Sequence, residues 1–208
     1  MIYDLHIHSK YSYDSILTPE MIIKVAKKKG INGVAITDHN SIKGGLKTFK
    51  ANQDKDFQIA IGTEIKTEYG DIIGIFLNED IKSRDFLGVI EEIREQGGYS
   101  ILPHPFRKHI SPEKLVNKID LVEVFNARSL KSENMKSHRL AKESNKPITA
   151  GSDAHLPFEI GRGIIIAKDG IRNIVKEKNP GIAGRESNYY LVHGLSIIAE
   201  KIKKVSAK

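Results

Sequence analysis

The stretch DLHIHSKYSYDS, residues 4–15, sets His6 and His8 into an apolar opening run and follows them with Asp14. Successive side chains along a strand point to opposite faces, so residues two apart share one face. An imidazole is costly to bury without a partner. A strand that carries two of them on one face therefore needs something on that face to receive them.

The rest of the chain repeats the arrangement. Short apolar, β-branched runs alternate with amphipathic helical stretches. IYDLHIH, GVAIT, FQIAIGTEI, DIIGIFL, YSILPHP, DLVEVFN, KPITAGSDAH and GIIIA read as strands. PEMIIKVAKKKG reads as a helix with Thr18 as its cap, Pro19 in its first turn and Gly30 past its end. SIKGGLKTFKAN is a shorter helix loosened by Gly44 and Gly45, and EYGD is a hairpin turn between two strands. Residues 83–97, SPEKLVNK with Ser111 as cap, and LKSENMKSHRLAKESN are further helices. A tail helix over about 188–204 places Leu191, Leu195, Ile198 and Ile202 at apolar positions, and GIAGRES (181–187) is the most loop-like stretch. Such β–α alternation argues for a parallel sheet with helices outside it, and about seven units suggest a closed barrel.

Of eight histidines, five (6, 8, 39, 104 and 155) fall at or just past the C-terminal end of an expected strand, where parallel barrels build their sites. Asp14, Glu64 and Asp153 accompany them, with Asp38 beside His39. Mixed imidazole and carboxylate ligands without sulfur suit Mn, Fe or Zn, whereas calcium takes oxygen alone. The inventory exceeds one ion and suggests two or three sharing bridging carboxylates. His138 lies in a charged helix and reads as a surface residue; His109 and His193 lack the strand-end placement.

Composition narrows the class. The chain has 208 residues, 39% hydrophobic, with no cysteine, which excludes disulfide and thiolate chemistry. No apolar run is long enough to span a membrane. The opening reads directly as a strand, with no charged-then-apolar leader, so the expected location is cytoplasmic. A net charge of +7 favours an anionic partner, although much of the lysine excess reads as solvated helix face. No GxGxxG or GxxxxGKS pattern supports a dinucleotide or P-loop reading.

Together HIHSKYSYDS, ITDHN, GTE, PHPF and GSDAH resemble, in order, the motifs of the PHP (polymerase and histidinol phosphatase) family, over about residues 1–165. EVFNARS followed by PITAGSDAHLPFEIG looks like the small stand-alone phosphoesterase members. The resemblance implies a single PHP domain, residues 1–208. Its fold would be a distorted (β/α)7 TIM-like barrel over about 1–167, with a helical tail over about 168–208. It also implies a trinuclear centre. His6, His8, Glu64 and Asp153 would hold one ion, Asp14, His39 and His155 another, and a bridging Glu64 with His104 the third. The further histidine that several members carry for the third ion is missing, since no histidine lies between 65 and 103. Asp38 would orient a ligand histidine.

The expected activity is hydrolysis of a small phosphomonoester or nucleotide through a metal-activated hydroxide. Arg107, Arg128 and Arg162 are candidates to clamp the phosphate, with Lys108 and His109 as weaker ones. Tyr11, Tyr13 and Tyr69 are candidates to line the pocket. Two alternatives remain: an exonuclease or phosphodiesterase acting on short oligonucleotides, and a non-catalytic RNA-binding barrel subunit. Nothing in the sequence selects an oligomeric state.

Overall fold

The computed structural model describes residues 1–177 and 180–206, the side chains of Lys108 and Ser206 excepted. In chain order the elements are β1 (Ile2–Ile7), α1 (Pro19–Lys28), β2 (Gly33–His39), α2 (Lys43–Ala51), β3 (Gln58–Thr67), β4 (Gly70–Ile75), α3 (Phe86–Glu95) and β5 (Tyr99–Leu102). There follow α4 (Pro105–Lys108), α5 (Pro112–Leu115), β6 (Leu121–Asn126), α6 (Lys131–Glu143), β7 (Ile148–Gly151), β8 (Gly163–Ile166), β9 (Gly181–Gly184) and α7 (Tyr189–Ser206).

The strands form one sheet in the order β7-β6-β5-β4-β3-β2-β1-β8-β9. It curls until the segment after β7 meets β1: Ile7 and Ala154 form a parallel bridge, and the His8 amide donates to the Ala154 carbonyl at 2.9 Å. The result is the expected distorted barrel, nearly closed. β1–β2, β2–β3, β5–β6 and β6–β7 pair in parallel. β4 runs antiparallel to both neighbours, because EYGD turns as the hairpin its residues specify. This reversal brings the start of β4, and Asp71 with it, to the end of the barrel where β3 finishes.

A central cluster draws Tyr3, Leu5, Ala35, Ala60, Ile73 and Ile101 from successive strands, and two more lie beneath the helices. Helix α1 has its expected ends: Thr18 Oγ1 accepts from the Met21 amide and Lys27 and Lys28 occupy the last turn. Ser111 does not cap α5 through its side chain; its φ of +50° turns the chain instead. GIAG is strand β9 rather than loop, because it pairs antiparallel with β8, which itself lies antiparallel on β1. Helix α7 buries Val192, Ser196 and Ala199 and leaves Leu191, Ile198 and Ile202 exposed. The hydrogen bond from Arg128 to Ser196 Oγ helps hold that face inward in place of the apolar stripe. No helix among the described residues is long and apolar enough to cross a membrane.

Candidate metal centre

The strands deliver the histidines and acids to one end of the barrel. His6 Nε2 and His8 Nε2 stand 3.1 Å apart. Glu64 Oε2 lies 3.5 and 3.2 Å from them, and Asp153 Oδ1 lies 3.6 and 3.4 Å from them. Each of these two nitrogens thus has a Glu64 and an Asp153 oxygen within 3.6 Å, and His6, His8 and Glu64 bring their ligand atoms within 4.8 Å of one another.

A second group gathers on Asp14, whose Oδ2 lies 3.0 Å from His155 Nε2 and 3.6 Å from His39 Nε2. His155 Nδ1 sits 2.8 Å from the Asp153 carbonyl, which can only accept, so Nδ1 carries the proton. Burial, with His8 and Arg128 nearby, pushes the ring's pKa down to about 4, so it is neutral. Nε2 therefore points a lone pair at a carboxylate. Two acceptors at 3.0 Å need a shared cation, a proton or a metal ion. The other oxygen of Asp14, Oδ1, is buried without a hydrogen-bond partner. The donor set fits divalent ions on this ground.

Glu64 joins the groups. Its Oε2 also lies 3.5 Å from His39 Nδ1, while Oε1 lies 3.0 Å from His104 Nε2. Glu64, His104 and Asp71 bring their ligand atoms within 4.8 Å of one another. Asp71 thus stands where the sequence shows no histidine between 65 and 103.

The electrostatics follow from burying so many charges together. Burial opposes ionisation of Glu64 and Asp153, yet His6 beside the first and Arg107 beside the second hold both carboxyls well below their usual range. Burial likewise opposes charge on His6 and His8. The surrounding carboxylates still lift His6 well above its ordinary value and His8 to about 9. Burial and the facing Glu64 raise Asp71.

Supporting contacts fix the rings. Glu123, buried on β6, places Oε1 3.0 Å from His6 Nδ1, while its Oε2 accepts from the His104 amide at 2.8 Å and from Asn126 Nδ2 at 2.9 Å. One carboxylate thus positions two histidines. Gly151 permits this: a Cβ there would lie 2.3 Å from His6 Cβ and 2.8 Å from Glu123 Oε1. Ser12 Oγ accepts from the His39 amide and lies 3.1 Å from His8 Nδ1.

Asp38 does not orient a histidine, contrary to expectation. It accepts from the Ser9 amide at 2.5 Å and the Ser9 hydroxyl at 2.6 Å, and so pins the loop leaving His8. Gly44 lets α2 approach that pair, since a Cβ would fall 1.7 Å from Asp38 Oδ2. His104 and Asp153 take positive φ, +31° and +55°, a region costly for residues with a Cβ.

These groups open into a cavity of about 620 Å³. Arg107 and Arg128 line it. Arg107 Nη2 donates to Asp153 Oδ2 at 2.6 Å and Nη1 to Asn126 Oδ1 at 3.3 Å. Arg128 is buried against Glu159 through two hydrogen bonds of 2.8 and 2.7 Å. Arg162 is not among the lining residues; its Nη2 donates to the Glu186 carbonyl at 2.7 Å. Tyr13 lines the cavity and stacks on His39 at 4.9 Å, whereas Tyr69 packs edge-on against Phe86 and Tyr11 faces the Lys43 ammonium. His109 is tucked beside His104, its Nε2 donating to the Asp71 carbonyl at 2.7 Å. The Lys108 side chain lies outside the described residues. His138 is exposed, as its charged helix implies. His193 does reach the cavity, from α7.

Three residues here carry no strand-end histidine signal: Asp71, Glu123 and His193. Glu123 had one available, an acid between valines in LVEVF, where a buried carboxylate needs partners.

A PHP-domain family model matches residues 4–150, and a model described as PHP-associated matches residues 131–176. An uncharacterized protein of Methanocaldococcus jannaschii is 49% identical over 138 residues, 60% of this chain and 81% of that protein. A crystal structure of a two-domain Bacteroides vulgatus protein, containing a predicted PHP-like metal-dependent phosphoesterase, superposes with a TM-score of 0.74 at 19% identity. The match covers 89% of this chain and 65% of that one. Endonuclease Q, bound to a 27-mer duplex with an abasic lesion at its active site, superposes with a TM-score of 0.63 at 20% identity, over 88% of this chain and 58% of that one. At these identities the two structures establish the fold.

Proposed function

The chain belongs to the PHP family, and from that premise we propose that it is a metal-dependent phosphoesterase hydrolysing a small phosphomonoester or nucleotide. The observation that carries the reading is the facing of His155 Nε2 and Asp14 Oδ2, two acceptors 3.0 Å apart at the floor of an open cavity beside Arg107. His6, His8, Glu64 and Asp153 would hold one divalent ion, Asp14, His39 and His155 a second, and Glu64, Asp71 and His104 a third. Mn, Fe and Zn all suit these donors. When bound, such ions acidify water and neutralise phosphoryl oxygens.

The chain's own groups do the rest. Glu123 and Ser12 keep the His6 and His8 nitrogens converged, so little reorganisation is needed when charge develops. Arg107 places a guanidinium beside Asp153, where it reaches a phosphate oxygen seated on the same floor. Tyr13 keeps its hydroxyl proton, since burial and the nearby Asp14 push its pKa up to about 12, and so serves as a neutral hydroxyl that donates or accepts at the rim.

Protein stripped of metal and reloaded with Mn²⁺, Fe²⁺, Zn²⁺ or Mg²⁺ should release phosphate from members of a panel of phosphomonoesters and nucleotides. No turnover on any member, with ions confirmed bound and a His8→Ala variant as control, would sink the reading.

A second reading keeps the metal chemistry and takes a nucleic-acid end as substrate. What favours it is the Tyr13 ring, 53% exposed at the rim, on which a base can stack. Binding of short RNA or DNA would then weaken steeply with salt, and labelled strands would shorten stepwise.

A further inference from the structure

One wall of the cavity lies beyond both family models, which end at residues 150 and 176. Helix α7 supplies it, through His193, Ser196, Ile197 and Glu200. The helix is fastened at two points. Arg128, held in the buried pair with Glu159, donates from Nη1 to Ser196 Oγ at 2.9 Å. Two turns on, the Lys203 ammonium donates to the Lys10 carbonyl at 2.6 Å and to the Ser12 carbonyl. Those carbonyls belong to the loop that carries Tyr13 and Asp14. Helix α7 therefore runs as a strap from the Arg128 corner to the first metal-binding loop, and its lining residues face the candidate ligands across the cavity.

Acceptors dominate this wall, beside the Ser196 hydroxyl, which takes a hydrogen bond from Arg128 and keeps its own proton to donate, and the apolar Ile197. His193 Nδ1 lies 2.7 Å from the Tyr189 carbonyl, an acceptor, so Nδ1 carries the proton and Nε2 is left as an acceptor. Burial lowers the pKa of this ring, which keeps it neutral. Glu200 is a carboxylate and only accepts; Lys204 Nζ already donates to its Oε1 at 2.5 Å, which leaves Oε2 as the acceptor. The floor, by contrast, is cationic once ions are present, and Arg107 adds to it. An ester seated phosphate-down thus turns its alcohol portion toward acceptors.

We propose that α7 is the specificity wall of the site, with His193 and Glu200 accepting hydrogen bonds from a hydroxyl-bearing alcohol portion, a sugar or other polyol. This rests on the phosphoesterase reading above. It deepens that reading by naming the class of leaving group: one presenting hydroxyl donors is held, and a bare aryl group is not.

The test compares kcat/KM for ribose 5-phosphate and for p-nitrophenyl phosphate in the Mn²⁺-loaded full chain. The ratio of the two should fall at least tenfold in His193→Ala and in Glu200→Gln. Glu200→Gln keeps the shape of the side chain and guards against a variant that misfolds; metal content and melting temperature are measured on each. Three results would overturn the proposal: an unchanged ratio, an equal loss on both esters, or a wild type that cleaves the aryl ester and spares ribose 5-phosphate. Preference for phosphoethanolamine over ribose 5-phosphate, lost in Glu200→Gln, would overturn the hydroxyl assignment in favour of an ammonium. If the wild type cleaves no ester at all, the phosphoesterase reading itself fails, which is a distinct outcome.

Discussion

Arg107 and Asp153 form an ion pair at the floor of the cavity, Nη2 to Oδ2 at 2.6 Å, while Oδ1 of the same carboxylate faces His6 and His8. One carboxylate thus meets a fixed cation on one oxygen and a candidate ion site on the other. Replacing Arg107 by Gln removes a charge-assisted hydrogen bond worth about 1.5–3 kcal/mol. Inhibition by inorganic phosphate should weaken by roughly 10- to 100-fold, the same energy expressed as a ratio. Unaltered phosphate inhibition would show that Arg107 serves only its contacts with Asp153 and Asn126.

Ions should be separable by mutation. Asp14→Ala removes the carboxylate shared by His39 and His155 and leaves the His6, His8, Glu64 and Asp153 donors in place. Metal analysis should find one ion fewer than in wild type. Asp71→Ala should cost a different ion, the one beside His104. Loss of every ion from a folded Asp14→Ala protein would show the grouping to be wrong.

Glu123 is expected to govern affinity without touching an ion. Glu123→Gln puts an amide group where the carboxylate receives His6 Nδ1 and the His104 amide, so one donor there meets another donor. Comparable losses of an orienting partner weaken metal binding about 10- to 100-fold. Competition against a fluorescent chelator would measure it, and equal affinity in the variant would remove Glu123 from this role.

Metal binding should release protons. Burial opposes charge on His8, but Asp153 and Glu64 lift its pKa from 6.5 to about 9. In the ion-free protein this protonation contributes stability that is full below pH 6.5 and lost as pH rises toward 9. A ligand nitrogen must shed that proton, so ion affinity climbs over the same interval. The gain in melting temperature on adding Mn²⁺ should therefore be larger at pH 8 than at pH 6.5. Titration calorimetry in two buffers of different ionisation enthalpy should register the proton. A gain independent of pH would exclude His8 as a ligand.

Much of the centre is legible in the chain because alternation along a strand is a local rule. His6 and His8 reveal a shared face through spacing alone. Asp153 and His155 have the same spacing but lie past the end of β7, where Asp153 takes a φ of +55°, so a turn rather than strand alternation places them. Asp71 escapes the same rule because it begins β4, and only the antiparallel run of β4 carries a strand's start to the end where other strands finish. His193 escapes it because a helix far along the chain folds back, fastened by Arg128 and Lys203 as well as by the buried Val192 and Ala199. Asp38 illustrates the opposite error. The family resemblance implies a role in orienting a ligand histidine, but the side chain turns to Ser9, 29 residues earlier. The GIAG segment reads as loop because glycines carry no strand preference, and its pairing with β8 is a tertiary choice.

The left-handed backbone at His104 and Asp153 has a bearing on any effort to harden this protein against heat. Glycine at either position would relieve strain of about 1 kcal/mol while deleting a donor. At Asp153 the ion pair with Arg107 outweighs that gain, but His104 also buries Nδ1 without a hydrogen-bond partner, so selection of ion-free protein for survival at high temperature would reward the loss of the His104 side chain. A heat-selected library would drift toward folded, inert barrels unless each round is also screened for retained ions.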